Sequence, residues 1–291
     1  MYPYRSPYTH RSRSDDVPTA DSSHYADELG RANPAEAARL RALADALDPE
    51  TVRRLEEAGP APDARVLEVG AGTGTVAAWL ADRCPRGHIT ATDLDLSHLP
   101  AELPEHVHTL RHDIVEDPFP EGSFDLIHAR CVLMHLPQRE RVVERMRGWL
   151  APGGTLLLEE IVHFPAALMP VGDPVRHSVE ACCDLLASSY GMEAEWGLQA
   201  TAALHRNGYQ DIAAEMTLPA FRSDAAMTDW WIRTVTALGP RLRETGRMSQ
   251  AEIDAALAAL GEPEHLSFPL GVLAVRARVP LSGSGSGSGR P

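Results

Sequence analysis

The chain has no lysine: its 27 basic residues are all arginine, set against 41 acids, for a formal net charge of −14. That surplus of acid excludes binding built on phosphate neutralisation, so neither nucleic acid nor an anionic membrane is an expected partner. The missing lysine is compositional, the mark of a high-GC genome. Cysteine is scarce, and Cys84, Cys131, Cys182 and Cys183 show no metal-ligand spacing, so no metal is expected. The adjacent pair 182–183 makes a poor disulfide, and free thiols suit a reducing compartment. No apolar run is long enough to cross a bilayer and no hydrophobic signal core stands near the start, so a cytoplasmic protein is expected. Aromatic residues make up only 5%, so where they cluster is informative.

What is present is a globular composition, 44% apolar and 23% charged over 291 residues, enough for one α/β core with an appended subdomain. Residues 1–22 lack periodicity and read as a disordered arm, and 281–291 as a flexible Ser/Gly tail or an expression scar. Residues 23–60 hold N-terminal helices, one over 34–47 with Asn33 as N-cap and a second over 49–58 that Gly59-Pro60 stops. An alternating core follows over 61–164. Strands fit 65–69, 88–92, 107–111, 124–129 and 155–160; helices fit 75–83, 138–149 and a short piece near 97–101. This rhythm predicts right-handed βαβ units and a mostly parallel sheet. Residues 165–207 read as a helical lid insert that starts at Asp173-Pro174 and is interrupted at Gly191, Gly197 and Gly208. Residues 208–280 return to the sheet with strands near 210–218 and 271–279 around a second helical insert, 224–260. Both inserts belong over the carboxyl edge of the sheet, where ligands of open α/β folds bind.

The sharpest local signal is Val66-Leu67-Glu68-Val69-Gly70-Ala71-Gly72-Thr73-Gly74, a buried strand that runs into a glycine turn and a helix. Alternating glycines let the backbone turn sharply and present bare N–H groups to a ligand. A dinucleotide fingerprint places its third glycine at 75, where Thr stands, which counts against a nicotinamide oxidoreductase. Glu68, inside the strand end, suits a ligand with an ammonium group and no pyrophosphate. About twenty residues on, the next strand ends in Asp93, a carboxylate placed to hold ribose hydroxyls. His112-Asp113-Ile114 closes the third strand.

Together with "PFPEGSFDLI" (118–127), "ARCVLMHLP" (129–137) and "WLAPGGTLLLEE" (149–160), these segments resemble the class I S-adenosylmethionine-dependent methyltransferases. "YGMEAEWG" (190–197) and "SQAEIDAALAAL" (249–260) resemble the bacterial small-molecule, natural-product branch, and the resemblance covers roughly residues 25–279. It implies an α/β, Rossmann-like sheet of seven mostly parallel strands with helices on both faces, and S-adenosylmethionine as cofactor. Gly70, Gly72 and Gly74 would then approach the methionine and ribose, with Glu68 near the amino group. Asp93 would take both ribose hydroxyls, Leu94 the adenine face, Asp113 the adenine amino group and the Ile114 N–H a ring nitrogen. Arg130 is placed either for the methionine carboxylate or in a surface ion pair.

The cofactor brings an activated methyl, so the protein must align a nucleophile, exclude water and often take one proton. Candidates for the base are His135, His163 and Glu160. A structural role competes for His135, and simple alternation, one side chain inward and one solvated, competes for Glu159 and Glu160. Tyr190, Met192, Trp196, Phe221, Trp230 and Trp231 suit a bulky, largely apolar small molecule, or else glue the inserts to the sheet. Arg233, Arg206 and Arg176 are placed for an acidic substrate group, or serve as surface cover. Methyl transfer to O, N or C of such a molecule is the leading expectation. A non-methylating cyclisation or rearrangement around bound cofactor is the alternative, and a ligand-sensing or scaffold protein a third. The N-terminal helical pair is placed to pack across a homodimer or to close over the cofactor.

Overall fold

A computed structural model describes residues 34–281, so the expected arm at 1–22, residues 23–33 with Asn33, and the tail from 282 lie outside it. Seven strands form one sheet: β1 Arg65–Val69, β2 His88–Asp93, β3 Val107–Arg111, β4 Phe124–Arg130, β5 Leu150–Val162, β6 Gln210–Thr217 and β7 Gly271–Arg278. Their order is β3-β2-β1-β4-β5-β7-β6, parallel through β5, with β7 antiparallel to both neighbours. Central parallel strands are covered on both faces, which is why they read as apolar runs. Successive β1 side chains alternate: Val66 joins one core with Ala77, Leu80 and Ile89, while Leu67 and Val69 join the other.

Among the described residues seven helices surround the sheet: α1 Pro34–Ala58, α2 Thr75–Arg83, α3 Arg139–Trp149, α4 Pro174–Tyr190, α5 Trp196–Arg206, α6 Ala226–Glu244 and α7 Gln250–Gly261. Asp173 caps α4 by accepting from the N–H groups of Val175 and Arg176, and Gly191 ends it in the left-handed region. Helices α4, α6 and α7 pack on one another, and α1 lies along α6. Together they roof the carboxyl edge where the strand order reverses between β1 and β4. Among the described residues no helix is long and apolar enough to cross a membrane.

Three expectations need correction. The two N-terminal helices are one: α1 continues through Pro49. Proline removes one helical hydrogen bond, but contacts from both sides of it fix the same axis, Asp48 to Arg130 and Arg54 to Glu159. Gly197 does not interrupt its segment but lies in the first turn of α5, where a Cβ would stand 2.9 Å from Val162 Cγ1. It is small because α5 packs flush on β5. Glu159 and Glu160 do not divide into one buried and one solvated; both are buried, because helices cover both faces of β5.

Candidate functional site

The carboxyl ends of β1, β2, β3 and β4 open onto a cavity of about 300 Å³, within the range of small-molecule sites. Gly70 and Gly72 edge it with φ of 68° and 51°. A Cβ on Gly70 would lie 2.5 Å from Val132 Cγ2, whereas above Gly72 nothing stands nearer than the Gly70 carbonyl oxygen at 3.9 Å. One glycine therefore admits the loop after β4, and the other leaves the space before the turn open to a ligand. Gly74 lies behind the turn: it begins α2 with φ of 74° and does not line the cavity. Gly70→Ala is expected to destabilise the fold by at least about 2 kcal/mol in urea titrations, from left-handed backbone strain plus overlap with Val132.

Asp93, at the end of β2, is held rigid by the turn it faces. Its Oδ2 accepts from the Gly72 N–H at 2.9 Å and Oδ1 from the Asp95 N–H at 3.1 Å. Asp113 accepts from the Val115 N–H at 2.9 Å and also lines the cavity, as do Leu94 and Ile114. Two carboxylates thus stand at adjacent strand ends with apolar surface between them, and each keeps lone pairs for further donors.

Glu68 is buried below the turn and does not line the cavity; its Oε2 stands 2.7 Å from His128 Nδ1. The His128 Nε2 lies 2.9 Å from Glu159, which also accepts from Thr51 at 2.7 Å and from Arg54. Burial opposes charge on His128, but the carboxylates of Glu68 and Glu159 outweigh it and raise its pKa to about 9. Glu159 is likewise disfavoured by burial, yet hydrogen bonds from His128 and Thr51 hold it at about 2. Arg130 borders the cavity, paired with Asp48 at 2.8 Å and Thr51 at 2.9 Å. That ion pair is largely buried, not the surface pair considered from sequence. These groups fasten α1 to the centre of the sheet, and the other end of α1 supplies Glu36, Arg39, Leu40 and Leu43 to the cavity wall.

The remaining wall is apolar: Ile161, Cys182, Cys183, Leu186, Met192, Trp230 and Trp231. His135 and His163 complete it. Burial, reinforced by the Arg39 charge, holds His135 down to about 3, and burial holds His163 at about 4 despite its bond to Ala194. Both are neutral at pH 7. The His163 Nδ1 lies 3.1 Å from the Ala194 carbonyl oxygen; a carbonyl only accepts, so the proton sits on Nδ1 and Nε2 carries the lone pair.

Other residues expected at the site stand elsewhere. Glu160 is buried away from the cavity and accepts from the Leu133 N–H at 2.9 Å. Burial raises its pKa to about 8, so it keeps its proton and anchors the 3-10 turn Leu133–His135 in place of acting as a base. Trp196 lies in the core below Arg139, Phe221 packs in the core, and half-buried Tyr190 packs against it; neither Phe221 nor Tyr190 lines the cavity. Arg233, Arg206 and Arg176 pair with Asp229, Glu140 and Glu180 at 2.9, 2.7 and 2.7 Å. Sequence reasoning missed Glu36, Arg39 and the thiols of Cys131, Cys182 and Cys183. The N-terminal helices were expected to pack across a homodimer or to close over the cofactor, but nothing local said which of their side chains reach the cavity.

A family model described as a methyltransferase domain matches residues 67–156, the segment that carries the glycine turn, Asp93 and Asp113. Residues 67–156 therefore match a methyltransferase domain. The methyltransferase str3 of Strobilurus tenacellus is 39% identical over 99 residues, which are 33% of this chain and 35% of that protein. The trans-aconitate 2-methyltransferase of Deinococcus radiodurans is 32% identical over 98 residues, 34% of this chain and 38% of its own. The chain thus spans little more than a third of the length of these relatives. A putative methyltransferase structure from Bacillus halodurans superposes with a TM-score of 0.54 at 20% identity, over 79% of this chain and 98% of that one; the likeness extends the shared fold beyond the methyltransferase domain.

Proposed function

We propose that the protein is an S-adenosylmethionine-dependent methyltransferase acting on O, N or C of a bulky, largely apolar small molecule, a natural-product intermediate. The observation that carries this reading is Asp93: a carboxylate locked by the Gly72 N–H, facing open space over a glycine turn. A paired ribose diol donates two hydrogen bonds, and a fixed carboxylate can accept both. Asp113 is positioned for the adenine amino group, with Leu94 and Ile114 against the ring. When bound, S-adenosylmethionine supplies a methyl group already activated on a sulfonium.

The chain's own work is then positioning, exclusion of water and removal of one proton. Trp230, Trp231, Leu186 and Met192 give the acceptor an apolar bed. His163, neutral and with its lone pair on Nε2, is the base. At about 4 it is a weak base, best matched to an acceptor whose own proton is acidic. His163→Gln is expected to lower turnover by about 10²–10⁴-fold with cofactor affinity unchanged, checked by radiolabelled methyl transfer and calorimetry. The reading as a whole is tested by titrating purified protein with S-adenosylmethionine; absence of binding refutes it.

A further inference from the structure

His135 and His163 are both tied to the short segment 191–195 that joins α4 to α5. The Glu193 N–H donates to the Met134 carbonyl oxygen at 2.8 Å, inside the 3-10 turn that carries His135. The Ala194 carbonyl takes the Nδ1 proton of His163. Glu195 ends the segment. It is 7% exposed and stands at the N-cap position of α5, yet its side chain caps nothing. Both carboxyl oxygens are buried, and neither closes a hydrogen bond among the described residues. A carboxyl so placed costs the folded protein stability that a glutamine or leucine side chain would spare.

Its surroundings are the main chain of the His163 turn. Burial raises the Glu195 pKa to about 7, the His163 N–H draws it back, Glu193 on the same segment adds to the rise, and the Phe164 N–H draws it back again. Cys183 faces it from α4, a thiol that burial, Cys182 and Glu195 push well up. The carboxyl thus stands beside two N–H groups at the start of the 3-10 turn Phe164–Leu168, near enough to gain from them as an anion and bonded to neither as an acid.

We propose that Glu195 is a positioning residue for His163: as a carboxylate it accepts from the His163 and Phe164 N–H groups, clamps the end of β5 to the segment 191–195, and so keeps Nδ1–H donating to the Ala194 carbonyl and the lone pair on Nε2. This rests on the reading of His163 as the base. The proton leaves Glu195 for solvent as pH rises through about 7, so the clamp is closed above that pH and open below it. The negative charge also makes the imidazole a stronger base than it is beside the neutral acid.

The ring nitrogens of His163, identified in nitrogen NMR spectra by their loss in His163→Gln, report the tautomer directly. In the ligand-free parent protein they should move apart, towards the Nδ1–H form, in a step centred at about pH 7, although the ring itself titrates only at about 4. Glu195→Gln and Glu195→Leu should both abolish the step. Both should also melt about 2–4 °C higher than the parent at about pH 8. The sign follows from a folded pKa raised from 4.5 to about 7: the cost of ionising Glu195 is absent below 4.5 and present in full above 7. No step in the parent, a step that survives in the variants, or variants that melt lower at about pH 8 make Glu195 a packing element and overturn the proposal. The step is read without cofactor or acceptor, so its failure removes this assignment alone. The calorimetry and the His163→Gln transfer experiment above decide the readings on which it rests.

Discussion

Asp93→Ala is expected to weaken S-adenosylhomocysteine binding by about two orders of magnitude, the loss of two hydrogen bonds to one ionised acceptor. Each such bond contributes about 1.5–3 kcal/mol when the acceptor is charged. A second effect acts in the same direction. Asp93 also orders the glycine turn through the Gly72 and Asp95 N–H groups, so removing it frees the backbone that should meet the ligand. Asp93→Asn separates the two contributions: the amide oxygen can still hold one N–H group, but the charge is gone and one lone-pair site has become a donor. An intermediate affinity is expected. Isothermal titration of both variants gives the answer, and an Asp93→Ala variant that binds like the parent protein removes the cofactor reading.

Glu159→Ala is expected to destabilise the fold by about 3–5 kcal/mol, the typical outcome when one partner of a buried charge cluster is deleted and the rest remain. His128, Thr51 and Arg54 all lose the same acceptor. Urea unfolding at pH 7 measures it. The cluster also sets a pH dependence whose sign is fixed. His128 has its folded pKa raised from 6.5 to about 9, so its contribution is full below 6.5 and is lost as pH rises through 9. Glu159 has its folded pKa lowered from 4.5 to about 2, so its contribution is full above 4.5 and is lost as pH falls through 2. Stability from this cluster should therefore be greatest between about pH 4.5 and 6.5 and should decline towards pH 9. His128→Gln should lose the alkaline part of that decline.

The parts of the site legible in the sequence are those where strand, turn and ligand group are neighbours in the chain. Gly70 and Gly72 are two residues apart, and Asp93 and Asp113 each stand at or just after the end of a strand. Periodicity placed those ends, the spacing after the glycine turn singled out Asp93, and the family resemblance singled out Asp113. Glu68 was read as a cofactor neighbour because its strand end was visible, whereas the imidazole that takes its carboxylate lies 60 residues away, inside another strand. The role of α1 was hidden for the same reason: Asp48 and Thr51 meet Arg130, and Arg54 meets Glu159, only through the fold. Aromatic composition misled in part. Trp230 and Trp231 border the cavity, but Trp196 fills the core, and a ring at helical spacing looks alike in both settings. The alternating register of Glu159 and Glu160 was read correctly, but which strands have both faces covered depends on where distant helices settle.

The attachment of α1 also bears on how the protein is made. Arg54 joins Glu159 and Glu215, which follow it by 105 and 161 residues. During synthesis the helix leaves the ribosome early, with its charged groups ready and their partners still untranslated. The front of the cleft therefore has nothing to close against until β4 and β5 have emerged, and a nascent chain halted before residue 130 should hold this helix undocked.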